Sequence, residues 1–213
     1  MSLFESKQKV LAIGSHPDDI EYSCSGTLLK LQEENNSIIK CFVMSCGSKG
    51  DPSSKISRIN ESKNALKEIG TTNNHIFLER TYPCNPEINK ESAFLRNIIL
   101  EFKPNIIFTH SAFDTHQEHI MTNQITITAA RRLKLSLLEY PILSTTPSYQ
   151  PNVFSDITNY FSRKMEILNN HESQSSKSYM QSDFLKVFNK SAYAMLHSCE
   201  YVETFSTHRL VID

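Results

Sequence analysis

The chain is expected to fold as a single α/β domain, a Rossmann-like, mainly parallel sheet with helices on both faces. Three observations predict this. Apolar runs of strand length, such as Ile38-Ile39-Lys40-Cys41-Phe42-Val43-Met44, mark strands covered on both sides in a parallel sheet. Such runs alternate with segments of helical period along residues 10–143, and that alternation implies right-handed crossovers in one sheet. With 213 residues, one core is better served than two small ones.

The first strand is read at residues 10–15. Pro17 fixes its own φ and holds His16 extended, so the following residues form a turn rather than an early helix. A helix over 22–34 turns Leu28, Leu29 and Leu31 inward, and Asn35-Asn36-Ser37 ends it. Residues 38–44 are the second strand. Gly47, Gly50 and Asp51-Pro52 mark a loop over 46–54 at the same sheet edge as the first turn. The second helix is read from about 55 to 69, with Gly70 as its C-cap.

Residues 75–78 give a short third strand and 82–86 a loop. In the helix over 91–102, Phe94, Leu95, Ile98, Ile99 and Phe102 keep the helical period. The fourth strand is 104–110, the next helix about 118–135, and the fifth strand 136–143. After Ser144 the pattern weakens. Turn residues crowd 145–151, 156–169 and 182–197 read as helices, and 201–212 holds one or two strands. No linker sets this last third apart, so 1–144 is expected to be the α/β core and 145–213 an elaboration over the sheet edge.

Net charge is -1, with 22 Lys and Arg against 23 Asp and Glu, so no basic field gathers nucleic acid or an anionic membrane. No apolar run resembles a leader or a membrane span. The expectation is a cytoplasmic protein that neither binds nucleic acid nor inserts into a membrane. The five cysteines, Cys24, Cys41, Cys46, Cys84 and Cys199, are odd in number and lack a C-x-x-C pair, which points to free thiols.

Two polar clusters end two separate buried strands. The first is Gly14-Ser15-His16-Pro17-Asp18-Asp19-Ile20-Glu21, the second Asp114-Thr115-His116-Gln117-Glu118-His119. If the first and fourth strands are neighbours across the reversal of strand order, both clusters open on one crevice, where open α/β sheets bind ligands. A hydrolytic metal such as zinc takes three protein ligands and leaves a position for water. His16, Asp19 and one histidine of the second cluster complete such a set. His119 is assigned to the metal because it stands in the first turn of a helix, where the backbone holds it rigidly.

Asp18, beside a ligand yet free to point elsewhere, is the candidate general base. His116, if protonated, is placed to stabilise the oxyanion of a tetrahedral intermediate, with Glu118 or Asp114 orienting it. His110, at the end of the fourth strand, is a candidate supporting group behind the ligands. Arg58 either forms a surface pair with Glu61 or contacts substrate and supports the pocket. His171 is read as reaching the pocket rim, and His75, His197 and His208 as solvated or core histidines.

With Arg58-x-x-Glu61 between them, the two clusters resemble the motifs of the zinc-dependent N-acetylglucosaminyl deacetylases, the PIG-L/LmbE-like group, over roughly residues 8–140. The resemblance implies zinc on His16, Asp19 and His119, with Fe2+ able to occupy the same set. It also implies Asp18 as base, His116 as partner of the intermediate, a glycoconjugate or sugar-nucleotide substrate, and a homo-oligomer. Gln117-Glu118 stands where the family usually has Pro-Asp. After residue 144 the likeness is loose, limited to His171-Glu172-Ser173-Gln174 and Tyr201-Val202-Glu203-Thr204-Phe205.

Two other readings compete. The same machinery suits hydrolysis of a different N-acyl amide. A non-catalytic metal- or nucleotide-binding protein is the alternative from another class, but the first turn lacks G-x-G-x-x-G and retains Asp18.

Overall fold

Val10 and Ala12 belong to one apolar cluster and Leu11 and Ile13 to another, and all four are fully buried. A strand alternates its side chains between two faces, so both faces of this one need cover. The computed structural model, which describes residues 6–47, 52–70, 75–78, 87–190 and 198–211, supplies it with helices on each side. The strands are β1 (Lys9–Gly14), β2 (Ile38–Val43), β3 (Ile76–Phe77), β4 (Ile106–His110), β5 (Ser136–Tyr140), β6 (Val153–Asp156) and β7 (Val202–Arg209). They form one sheet in the order β3-β2-β1-β4-β5-β7-β6. β1 to β5 are mutually parallel; β7 runs antiparallel to both β5 and β6.

On one face, Leu28 of α1 (Asp19–Asn35) and Leu66 of α2 (Pro52–Glu68) pack with Val10 and Ala12. On the other, Leu95 and Ile99 of α3 (Ile88–Phe102) and Ile125 of α4 (Gln117–Ala130) pack with Leu11 and Ile13. α5 (Phe161–Asn169) lies against α1 and sends Ile167 into the first cluster. A third cluster of Tyr22, Ile157, Phe161, Leu168 and Leu185 seats the C-terminal third, including α6 (Ser182–Phe188), on α1. Because β1 and β4 are neighbours at the point where the strand order reverses, the turns that follow them share one crevice.

The C-terminal third is tied to α1 by a fully buried ion pair. Lys164 Nζ lies 2.7 Å from Glu203 Oε1 and also donates to Asn189 Oδ1 at 3.1 Å. The Glu203 carboxylate in turn accepts from Gly26 N at 3.0 Å and Thr27 N at 2.7 Å, inside α1.

Several boundaries differ from those read in the sequence. α1 starts at Asp19 rather than 22, because Asp18 takes φ 107° and its carbonyl already accepts Tyr22 N at 2.8 Å. α4 stops at Ala130, short of 135. Arg96 Nη1 donates to Ala129 O at 2.8 Å and Arg209 Nη2 to Ala130 O at 3.2 Å, so side chains take the carbonyls a longer helix would use. β5 ends at Tyr140, three residues early, where Ile142 N turns onto Thr145 Oγ1 at 2.8 Å. Residues 153–156 form an edge strand between the turns read at 145–151 and the helix read from 156, and α5 begins only at Phe161. Gly70, at φ 72°, takes the expected position just past α2.

The loop read at 82–86, part of the glycine loop at 48–51, Cys84, His197 and the last turns of the helix read to 197 lie outside the described residues. Among the described residues, Cys24, Cys41, Cys46 and Cys199 form no disulfide. Among the described residues no helix is long and apolar enough to cross a membrane.

Candidate active site

The turn after β1 folds around one carboxylate. Asp19 Oδ2 accepts from Ser15 N at 2.9 Å, His16 N at 2.7 Å and His110 Nε2 at 2.9 Å, while Oδ1 lies 3.7 Å from His119 Nε2. Burial pushes the Asp19 carboxyl up, but the imidazoles of His110, His119 and His16 outweigh it and hold the group well below the usual carboxylate range. Burial likewise drives His110 down to about 4, so it stands neutral behind Asp19, its Nε2 2.9 Å from Asp19 Oδ2 and 3.1 Å from Ser15 N.

His16 sits between two carboxylates, its Nδ1 3.4 Å from Asp19 Oδ2 and its Nε2 bonded to Glu118 Oε2. Burial alone would lower its pKa; Asp19 and Glu118 together raise it to about 10. His119, in the first turn of α4, places Nδ1 3.2 Å from both Asp114 Oδ2 and Ser144 Oγ, which leaves Nε2 to face Asp19. Orientation of an imidazole by a carboxylate on its far nitrogen is the usual support for a metal ligand. Asp114 also accepts His116 N at 2.7 Å; burial pushes its carboxyl up, but these hydrogen bonds bring it down to about 2.

His16, Asp19 and His119 each present one donor atom, all within 4.8 Å of one another, and two nitrogens with one carboxylate oxygen suit a divalent transition metal. His110, Asp114 and His119 also bring three donor atoms together, but His110 and Asp114 stand behind the cleft rather than lining it. The rings of His110, His119 and His116 form a stack, with centroids 4.1 and 4.3 Å apart. His116 caps α4, its Nδ1 accepting Glu118 N at 3.3 Å. Burial and the neighbouring His119 and His16 lower its pKa.

Asp18 holds its left-handed backbone at the head of α1, a conformation that costs a non-glycine residue of order 1–3 kcal/mol and concentrates at functional sites. Its Oδ2 lies 3.2 Å from Arg58 Nη2, which also donates to Pro17 O at 2.9 Å, while Nη1 donates to Gly47 O at 2.6 Å. Burial raises the Asp18 carboxyl and Arg58 pulls it back, leaving it at about 6. Gly47 lets Arg58 lie this close, since a Cβ there would stand 2.3 Å from Nη1.

The residues singled out in the sequence converge. His16, Asp18, Asp19, Arg58, His116, Glu118 and His119 line one cleft of about 580 Å³, within the usual range for small-molecule sites. Asp114 and His110 support it from behind. Details differ from expectation. The Glu118 carboxylate bonds His16, and only the Glu118 backbone N–H meets the His116 ring, while the Asp114 carboxylate bonds the His119 ring. Arg58 forms no pair with Glu61, which instead meets Ser57 and Ser173. His171 is buried 3.3 Å from Glu21 Oε1 and does not line the cleft. Sequence reading missed Ser144, Tyr22, Lys177, Tyr179 and Met180, which also line it. They carry no local motif and reach the cleft only through tertiary packing.

The family model described as GlcNAc-PI de-N-acetylase, PIG-L, matches residues 11–130, from β1 to the end of α4. The chain belongs to the PIG-L family. It is 32% identical over 180 residues to the uncharacterized deacetylase YaiS of Escherichia coli K12, covering 81% of this chain and 95% of that protein. Two solved structures share the PIG-L fold seen here. The conserved protein TT1542 of Thermus thermophilus superposes with TM-score 0.80 at 19% identity, over 97% of each chain. The N,N'-diacetylchitobiose deacetylase of Pyrococcus horikoshii gives 0.75 at 20% identity, over 93% of this chain and 83% of its own. PIG-L membership makes the chain a hydrolytic enzyme of the deacetylase type.

Proposed function

We propose that this protein removes the N-acetyl group from an N-acetylglucosamine-type amino sugar carried in a glycoconjugate or sugar nucleotide, using a zinc ion held by His16, Asp19 and His119. The observation that carries the reading is the juxtaposition of those three donor groups with Asp18 in one cleft, on a chain of the PIG-L family. A bound zinc supplies Lewis acidity, acidifying water and polarising the acetamide carbonyl.

Asp18 takes the proton of the attacking water and returns it to the leaving amine. Its carboxyl, raised by burial and restrained by Arg58, titrates close enough to neutrality for both transfers. His116 donates to the developing oxyanion. Because its Nδ1 accepts Glu118 N, its proton sits on Nε2, so the neutral ring serves as donor and need not be the imidazolium expected from sequence. Asp114 and Ser144 fix the His119 ring, and His110 fixes Asp19.

The test is release of free amine from a panel of N-acetylglucosamine conjugates by zinc-loaded protein, chelated protein and Asp18→Asn. Release that requires both metal and Asp18 is the expected result. A folded, metal-loaded protein that leaves every amino sugar intact while cleaving other N-acyl amines would overturn the substrate class. Loading with Fe2+ in parallel decides which ion supports turnover.

A further inference from the structure

We propose that Tyr22 and Lys177 form a recognition site for a phosphate substituent on the amino sugar, a refinement that rests on the deacetylase reading above. Tyr22 lines the catalytic cleft from the first turns of α1 and is 2% exposed, yet its hydroxyl has no hydrogen-bond partner among the described residues. Buried phenol hydroxyls are normally satisfied, so an orphan that borders a ligand cleft awaits a group from the ligand. Burial holds the phenol above its usual range, so it offers a proton donor.

Lys177 lines the same cleft from the C-terminal third of the chain. It is exposed and forms no ion pair with a carboxylate among the described residues. Its Nζ stands 5.6 Å over the ring of Tyr179, and that ring packs edge-on against Tyr22 at 6.0 Å and 82°. Tyr179 thus brings a neutral donor and a free ammonium to one side of the cleft.

The other formally charged side chains of the cleft already have partners. Both Nη atoms of Arg58 are bonded to Asp18, Pro17 and Gly47. Asp19 and Glu118 are bonded to imidazoles. Ile142, Leu143 and Met180 complete the wall with apolar surface that reads no charge. An ammonium acts as a point charge and suits phosphate without demanding the bidentate geometry of a guanidinium, while the hydroxyl adds a directional bond. A sugar 1-phosphate and a phosphodiester to a larger aglycone share this chemistry.

Metal-loaded wild type, Lys177→Ala and Tyr22→Phe are assayed on N-acetylglucosamine 1-phosphate, UDP-N-acetylglucosamine and methyl N-acetylglucosaminide. Binding of the 1-phosphate and the methyl glycoside is measured in parallel by calorimetry on the same proteins carrying Asp18→Asn. Wild type is expected to favour a phosphate-bearing substrate by about tenfold in kcat/KM, mostly through KM, as fits one exposed charge-assisted contact. Each substitution should bring that ratio towards one, and added salt should erode it.

Preference for the 1-phosphate alone assigns a terminal phosphate; preference extending to the nucleotide sugar assigns a bridging one. A ratio near one in wild type, or one that survives both substitutions, overturns the proposal while leaving deacetylation intact. Lys177-dependent binding of the 1-phosphate without hydrolysis of any substrate does the reverse. Tyr22→Phe removes an atom with no internal partner, so its fold, followed by circular dichroism, is expected to hold.

Discussion

Arg58 Nη2 lies 3.2 Å from Asp18 Oδ2, across a gap that joins α2 to the head of α1. The same guanidinium holds the carbonyls of Pro17 and Gly47, so Arg58 fixes the residue on each side of the cleft as well as the carboxylate itself. Gly47→Ala should break this clamp from a distance. Its Cβ would meet Nη1 at 2.3 Å, and φ 61° adds about 1–2 kcal/mol of backbone strain. The expected outcome is a loss of kcat of at least about tenfold with a modest fall in melting temperature. Wild-type kcat in a folded Gly47→Ala protein would show that Asp18 does not depend on Arg58.

As the proposed general base, Asp18 should set a pH limb. A base must be ionised, so kcat/KM should fall on acidification through about pH 6, and the bound metal cation should move the limb lower. Arg58 favours the ionised form, so Arg58→Gln should move the limb upward. Stability has the opposite sign. A carboxyl raised from 3.8 to about 6 contributes stability that is full below pH 3.8 and lost as pH rises through 6. Metal-free Asp18→Asn should therefore melt above metal-free wild type at pH 8, and the gap should close at pH 4.

Much of this was legible in the chain because it is local. Continuous burial on both faces makes β1 and β4 readable as unbroken apolar runs, and a polar cluster at the end of each reads as a site. The left-handed turn at Asp18 was not readable, since it is braced by an arginine 40 residues away. Glu118 looked like a partner for His116, two residues before it, but the helix turns its carboxylate to His16, 102 residues away. β6 shows no alternating apolar pattern of its own and exists because β7 offers it an edge. Tyr22 and Tyr179 meet only because the C-terminal third folds back on α1.

Metal capture should release a proton. In the metal-free protein Asp19 and Glu118 keep His16 charged up to about pH 10, and a ligand imidazole must be neutral. The His16 shift contributes stability to the metal-free fold that is full below pH 6.5 and lost as pH rises through 10. Apparent zinc affinity should accordingly rise by up to about tenfold per pH unit between pH 7 and 9. Calorimetry in buffers of differing ionisation enthalpy counts the proton. Glu118→Gln should flatten the dependence, since it removes one of the two carboxylates that hold His16 charged.

Asp114 acts through His119. With its carboxylate 3.2 Å from Nδ1, it sets both the tautomer and the plane of the ring. Asp114→Ala should weaken zinc binding by about 10- to 100-fold, the usual consequence of losing such a support. Ser144→Ala should cost less, because Asp114 still bonds the same nitrogen. Equal affinity in Asp114→Ala and wild type, measured by competition with a chelator, would remove His119 from the ligand set.

The buried pair of Lys164 and Glu203 makes a stability prediction independent of the cleft. Both side chains are fully buried, and neither charge can be left alone without a large desolvation cost. Glu203 has more compensation than Lys164, since its carboxylate also accepts Gly26 N and Thr27 N within α1, whereas the ammonium keeps only Asn189 Oδ1. Glu203→Leu leaves the buried ammonium with Asn189 Oδ1 alone and takes the acceptor from two backbone donors, and should cost about 3–5 kcal/mol in denaturant unfolding. Lys164→Met leaves the carboxylate two hydrogen bonds and should cost less. The double variant should be more stable than the sum of the two losses requires, because it no longer buries an unpaired charge. Strict additivity would mean that the two groups are solvated separately and that the tie between α5, β7 and α1 is apolar packing alone.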